Sequence, residues 1–571
     1  MDNSEFIDLA VFCGAGISKN SGLPLANELK QYILEKLSVN KEDMKEIMSS
    51  NLPFEAFIEI ISENTDISKI FQIFEKGEPN INHMIIARLS NIGYIKTVFT
   101  TNFDLLIEKA LEKEGLKKDR DFKVYCDEHQ FSEIDFEETD DKMIKIYKIH
   151  GSIDNIDSIR TTLKMVASRI LYDKRMIGIR HLFSTGNHKK VLILGYSCSD
   201  EFDITPQIKS IKENQKEIIF VDHCNEGGEI EDVRIKEQKN PFKTFPGKRI
   251  KCNTDHFIRD LWASFKDIVG EYKPVESKVE WEIAVDNWAM MLSEEPKYFI
   301  VGSILYNISN FKKAIEYSEK ALEINKTTGD KAGELRCYAN IGIAYDGLGD
   351  FGSVIKYNEK ALEIAKAIGN KVEEAKCYAG LGAAYGVLRD AERVIKYHEK
   401  ALEIAKEIGN KAEEAKFYRC YIGLGSAYDS LGDFRKAIDY YEKALQIGKA
   451  MGDKAGEAAC YGNLGNTQNN LQNFKKAIEL HKKALKIAKA IGNKAEEARC
   501  YINLGSAYYG LRGFKRTIEY YLQAEGISKE IKQIYFLGEV YRNLAVVYEK
   551  IGDNGSAEKY KRKLTNDIKT L

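Results

Sequence analysis

Short apolar runs separated by amphipathic stretches fill the first half of the chain, and a long-period helical repeat fills the second. Phe6 to Phe12 (FIDLAVF) predicts a buried parallel strand that stops at Gly14-Ala15-Gly16-Ile17-Ser18. Beyond Gly22 and Pro24, Ala26 to Leu37 (ANELKQYILEKL) carries apolar residues at helical spacing. Strand, glycine loop and helix outline a phosphate-cradling turn, because glycine lets backbone approach a pyrophosphate and a helix N-terminus offers unpaired N–H groups. Further apolar runs at Tyr94 to Phe99, Met143 to Ile149, Val191 to Leu194 and Ile218 to Val221 each end in a polar or glycine-containing turn. The alternation predicts an α/β Rossmann-like parallel sheet domain with helices on both faces. Ligands of such sheets sit beyond the C-terminal strand ends. The unusual phrases fall there: GAGIS, then Thr100-Thr101-Asn102-Phe103-Asp104, His150-Gly151-Ser152, Gly195-Tyr196-Ser197, and Asp222.

From about Tyr298 the sequence copies itself. Lys331, Lys371, Lys411, Lys454 and Lys494 open similar phrases at intervals of forty, forty, forty-three and forty residues, with the three extra residues placed at Phe417-Tyr418-Arg419, inside a helix. Each copy predicts two helices, with small residues (Gly382, Gly425, Gly505) where they must approach and tyrosines (Tyr385, Tyr428, Tyr508) beside them. Such a pair cannot bury its apolar face alone, so the copies must stack into an all-α solenoid. The pattern LGxAYxxLGDFxKAIxYxEKAL resembles the tetratricopeptide repeat in a lengthened form, in roughly six to seven copies. The resemblance implies a groove that binds a protein trigger or mediates self-assembly. Cys337, Cys377, Cys420, Cys460 and Cys500 recur at one repeat position and are expected to be small core residues.

Composition narrows the setting. The 571 residues carry 85 Lys and Arg against 87 Asp and Glu, a net charge of −2 that gives no push toward nucleic acid or an anionic membrane. No apolar run approaches the roughly eighteen residues of a membrane span, and MDNSEF lacks a signal-peptide pattern, so a cytoplasmic protein is expected. No CxxC pair occurs, and no metal is expected.

GAGIS followed by SGLP, TTNFD and HGS, in this order and at these strand ends, resemble the signature motifs of sirtuin-type NAD-binding domains over roughly residues 6 to 265. The resemblance implies that Gly14, Ala15, Gly16 and Ser18 line the NAD pyrophosphate and ribose, and that Asn102 and Asp104 sit in the nicotinamide pocket. It makes His150 the catalytic base, matches Gly195 and Ser197 to a loop on the adenosine side, and sets Asp222 by the adenine ribose. The sirtuin deacylases carry a zinc module held by two CxxC pairs after the HG motif, whereas Ser152 to Lys190 contains no cysteine here. That departure leaves a pocket for cleaving the nicotinamide glycosidic bond, with NAD+ as substrate and water as acceptor. Asn102 can orient water or ribose without adding charge, and His150 has the side chain that exchanges a proton near neutral pH.

The expected organisation is a sirtuin-like domain over 1–265, a helical connector over 266–296 and the solenoid over 297–571. In the connector, Trp281 and Trp288, seven apart, mark one helix face that packs on a domain. A sirtuin-like domain fused to a solenoid resembles bacterial antiphage defence proteins of the abortive-infection type. The expected function is therefore an NAD+ hydrolase held in check by its repeats, in a homo-oligomer. The alternatives are an NAD-dependent protein deacylase or ADP-ribosyltransferase, and a non-catalytic sensor of NAD or an ADP-ribose derivative.

Overall fold

Residues Leu9–Cys13 form β1, in which Leu9, Val11 and Cys13 face one layer of helices and Ala10 and Phe12 the other. Burial on both sides is why this run does not alternate apolar with polar. The computed structural model describes residues 8–136, 143–159, 174–198, 204–211, 216–224, 228–234, 240–272, 279–409 and 417–570. Phe6 and Ile7 of the first predicted strand, and the repeat phrase opened by Lys411, lie outside the described residues. The chain divides into two units, Met1–Ala321 and Leu322–Leu571.

In the first unit β1 is joined by β2 (Ile95–Thr100), β3 (Phe122–Tyr125), β4 (Ile144–Lys148), β5 (Lys190–Leu194), β6 (Glu217–His223), β7 (Glu229–Asp232) and β8 (Gly247–Cys252). The order across the sheet is β3-β4-β2-β1-β5-β6-β8-β7, and every neighbouring pair is parallel except β7 against β8. The expected parallel α/β sheet is present, with an antiparallel edge strand and two further strands, β3 and β8, that short charged sequences (FKVY, GKRIKC) had concealed. The chain reverses direction across the sheet at β1, which has β2 on one side and β5 on the other. Such a reversal opens the crevice in which α/β sheets bind ligands.

Six helices fill the chain between β1 and β3: α1 (Ala26–Lys36), α2 (Lys41–Ser49), α3 (Phe54–Ser62), α4 (Ser68–Phe71), α5 (Ile81–Asn91) and α6 (Leu106–Lys113). Ile85, Ile86 and Leu89 of α5 and Ile107 and Leu111 of α6 cover one sheet face, and Met176, Ile179 and Phe183 of helix Lys174–Phe183 cover the other. Helix Trp281–Met290 carries both connector tryptophans: Trp288 is fully buried, and the Trp281 ring meets Tyr32 of α1 edge-on at 5.3 Å.

The second unit is a solenoid of paired helices of mostly seventeen residues. The Gly-Asp and Gly-Asn phrases explain the pairing: Gly349, Gly369 and Gly452 take positive φ at a helix end, and Asp350, Asn370 and Asp453 accept an N–H as the next N-cap. A Cβ on Gly425 would lie 2.6 Å from Tyr441 and one on Gly505 2.4 Å from Tyr521, so the small residues are required by close helix approach. Of the three extra residues, Tyr418 and Arg419 lie in helix Tyr418–Ser430, and the residues before Phe417 lie outside the described ones. The five periodic cysteines are all buried, and burial pushes the Cys377, Cys420, Cys460 and Cys500 thiols up to about 12.

Candidate active site

Three strand-end loops interlock beyond β1. Gly14 N–H donates to the Leu194 carbonyl at 2.9 Å and Gly16 N–H to the Gly195 carbonyl at 3.0 Å. A Cβ on Gly14 would stand 2.5 Å from the Gly195 oxygen, and one on Gly195, whose φ is +61°, 2.5 Å from the Ile17 nitrogen. The glycines are thus needed for contact between two loops, and two of their amides are already committed. The turn that follows, Ala15–Ser21, is a 3-10 helix; α1 begins only at Ala26. The strand, the glycine loop and the helix start at Ala26 are where the sequence puts them, and the 3-10 turn fills the loop between. Ala15 and Gly16 are exposed, and Ser18 is buried.

Ser18 is the hub of a buried polar network. Its Oγ donates to Asp104 Oδ2 at 2.8 Å, accepts from Asn102 Nδ2 at 3.0 Å, and lies 3.2 Å from His83 Nε2. Asp104 Oδ1 accepts the Leu106 N–H at 3.1 Å, at the start of α6. Asn102 is itself buried, its N–H donates to Thr100 Oγ1 at 3.0 Å, and its Oδ1 has no partner among the described residues. His83, at the start of α5, is fully buried, and burial lowers its pKa to about 3, so the ring is neutral. Asn80 and Asn82 of the same helix start donate to the Ile17 carbonyl at 2.7 and 3.2 Å, which pins the 3-10 turn.

The other wall comes from β4. Thr100 of β2 pairs with Lys148 of β4, so Asn102 and His150 each stand two residues past one register position, on strands about 4.8 Å apart. His150 is buried; its Nδ1 lies 3.3 Å from Glu55 Oε1 of α3, and the Phe103 ring centroid is 6.3 Å from its own. Gly151 has φ +89°, and a Cβ there would meet Ile159 N at 2.6 Å, so the turn after His150 demands glycine. Lys148 is wholly buried. Its Nζ donates to the Phe103 carbonyl at 3.3 Å, to the Asp104 carbonyl and to Glu108 Oε1 at 2.9 Å, fastening the Asn102 loop to β4.

The structure therefore brings Ser18, Asn102 and Asp104 into one hydrogen-bonded group, with His150 on the adjoining strand. Gly195 meets Gly14 and Gly16 across β1, and Ser197 is exposed beyond it. Asp222 does not join them: it lies three strands from β2, about 14 Å at ordinary strand spacing, and Arg249 of β8 holds its carboxylate at 2.6 and 3.0 Å. Sequence reasoning missed His83, Lys148, Glu108 and Glu55. The Asn80-x-x-His83 phrase before an apolar helix is a readable capping signal, and Lys148 was a charge inside a strand; Glu55 left no mark, being an ordinary acid in the first turn of a helix.

The geometry meets independent similarity. Residues 96–240 match the model of the SIR2-like domain, and residues 297–367, 373–450 and 452–530 match a tetratricopeptide repeat model. The chain joins a SIR2-like domain to tetratricopeptide repeats. The SIR2-like match contains Asn102, Asp104, His150, Gly195, Ser197 and Asp222. Over 120 residues the chain is 32% identical to NAD(+) hydrolase ThsA of Acinetobacter baumannii (strain 532279), a stretch of 20% of this chain and 23% of that protein. The chain thus spans about a quarter of that relative's length. Among solved structures, the apo quorum sensor NprR of B. thuringiensis is similar at 18% identity and TM-score 0.39, covering 55% of this chain and 82% of that one. BtubC of P. vanneervenii is similar at 20% identity and TM-score 0.30, covering 46% and 91%. Likenesses this loose carry no argument. No helix among the described residues is long and apolar enough to cross a membrane.

Proposed function

We propose that the chain is an NAD+ hydrolase, cleaving the nicotinamide–ribose bond to give nicotinamide and ADP-ribose. The observation that carries the reading is the Asn102 carboxamide: buried, fixed by Ser18 through Nδ2, and holding an Oδ1 without a partner among the described residues, one strand from His150. A buried acceptor without a partner costs about 1–3 kcal/mol, and a hydroxyl of substrate or an attacking water relieves it. The SIR2-like match and the NAD(+) hydrolase relative support NAD+ as the molecule that brings that hydroxyl.

In the step proposed, the C1′–N bond gives its electron pair to nicotinamide, which leaves neutral, and C1′ takes on oxocarbenium character. Water adds to C1′ and passes a proton to His150, so NAD+ and water become nicotinamide, ADP-ribose and a proton. Asn102 Oδ1 orients the water or a ribose hydroxyl without adding a charge that would trap the cation. The absence of cysteine between Ser152 and Lys190, where a deacylase carries its zinc module, supports water over an acyl-lysine as the acceptor.

Control by the repeats belongs to the same proposal. Helix Glu294–Asn307, which runs into the first repeat match at residue 297, lies in the same unit as the sheet and packs on α3, and Tyr317 donates to Asp43 of α2 at 2.8 Å. A trigger protein or self-assembly acting on the repeats would have this purchase on the catalytic unit. The setting proposed is cytoplasmic antiphage defence of the abortive-infection type, in a homo-oligomer. The test is intracellular NAD+ in bacteria carrying wild-type or His150→Ala protein, with and without phage: NAD+ should collapse on infection in the wild type alone. Unchanged NAD+ while protection persists would favour a sensor or transferase.

A further inference from the structure

His150 has a carboxylate at its back. Glu55 Oε1 stands 3.3 Å from Nδ1, its side chain is 20% exposed, and it comes from α3, nearly a hundred residues upstream of the histidine. Three features fix it there. Phe57, Ile58, Ile60 and Ile61 bury the apolar side of α3. Lys30, itself buried, donates to the Leu52 carbonyl at 3.2 Å and to Ile47 at 3.4 Å, tying down the approach to the helix. Glu55 also lies in the first turn of α3, where the positive end of the helix favours a carboxylate.

We propose that Glu55 is the positioning residue of His150: it holds the hydrogen on Nδ1, turns Nε2 into the base, and balances the imidazolium formed when water gives up its proton. The inference rests on the hydrolase reading of this site. A carboxylate only accepts, so the imidazole nitrogen facing it carries the hydrogen and the lone pair lies on the other nitrogen. Phe103, its ring plane tilted 40° to the imidazole, limits rotation of the ring from the side of the Asn102 loop. The other ionisable groups on the surrounding elements have partners of their own. Lys148 is held by Glu108 and two carbonyls, Asp104 by Ser18 and the Leu106 N–H, and neutral His83 lies between Asn80 and Ser18.

The test uses full-length protein labelled with 15N-histidine, the His150 signals being those absent from His150→Ala. Wild type should show a Nδ1–H ring, and Glu55→Gln a loss of that single tautomer. In turnover, Glu55→Gln should lower kcat about 100-fold or more while ADP-ribose binding stays within about twofold, and the acid limb of the kcat profile should move down by about one pH unit. Glu55→Asp, which keeps the charge, should recover part of the loss and secures the comparison if Glu55→Gln folds poorly. A Nε2–H ring in the wild type, or an unshifted limb with full kcat in Glu55→Gln, would overturn the proposal. If the wild type shows the Nδ1–H ring and Glu55→Gln loses it, yet NAD+ stays intact, the pair stands and the hydrolase reading fails.

Discussion

Removing the Ser18 hydroxyl gives the most direct check on the polar network beneath the site. Ser18→Ala deletes one donated and two accepted hydrogen bonds, to Asp104, Asn102 and His83, at 2.8, 3.0 and 3.2 Å. The two neutral bonds contribute about 1 kcal/mol each and the bond to the buried carboxylate about 2, a loss of about 4 kcal/mol. For the 321 residues of the first unit, at about 2.1 cal/mol/K per residue, 1 kcal/mol moves the melting temperature by about 1.5 °C, so its transition should fall by about 6 °C. Lys45→Ala, at an exposed position of α2 in the same unit, should move it by about 1 °C or less. Differential scanning calorimetry of the full chain resolves the comparison, and nicotinamide release follows the same variants, since Asn102 loses the partner that aims its carboxamide. A Ser18→Ala protein that melts with the wild type would refute the network as a structural element.

Lys148→Met should destabilise the first unit by about 3–5 kcal/mol, because Glu108 stays buried and unpaired; adding Glu108→Leu should restore much of it in urea titrations. Gly151→Ala should abolish turnover with little change in helix content by circular dichroism, since only the turn after His150 has to move. His83 binds a proton in the unfolded chain below about pH 6.5 but in the folded chain only near 3, so acidification favours unfolding. Stability should fall by about 1.4 kcal/mol per unit between those values, a slope that His83→Gln should lessen in acid melts. The repeat cysteines, with thiols raised to about 12, should resist iodoacetamide at pH 8 in the native protein and react once it is unfolded.

How far the sequence could be read follows from the range of each interaction. β1, β2, β4, β5 and β6 were visible because strands buried on both faces are nearly all apolar, and the solenoid because its period repeats the same caps and small residues. β7 was hidden because an edge strand such as EIED is polar. Strand-end phrases exposed Asn102, Asp104 and His150, whose type and position are both local. What sets their geometry is not local: Ser18 reaches Asp104 over 86 residues and His83 over 65, and nothing in either segment names its partner. The glycines of GAGIS show the reverse, a motif legible at once whose role against Gly195 only the folded loops display.

The central claim meets its most direct test in products counted from NAD+ incubated with purified full-length protein, in each assembly state separated by size, beside Asn102→Ala and His150→Ala. The account predicts nicotinamide and ADP-ribose in equal amounts from the wild type and neither from the two variants. NAD+ bound but intact in every assembly state of the wild type, or consumed as fast by His150→Ala, would contradict it.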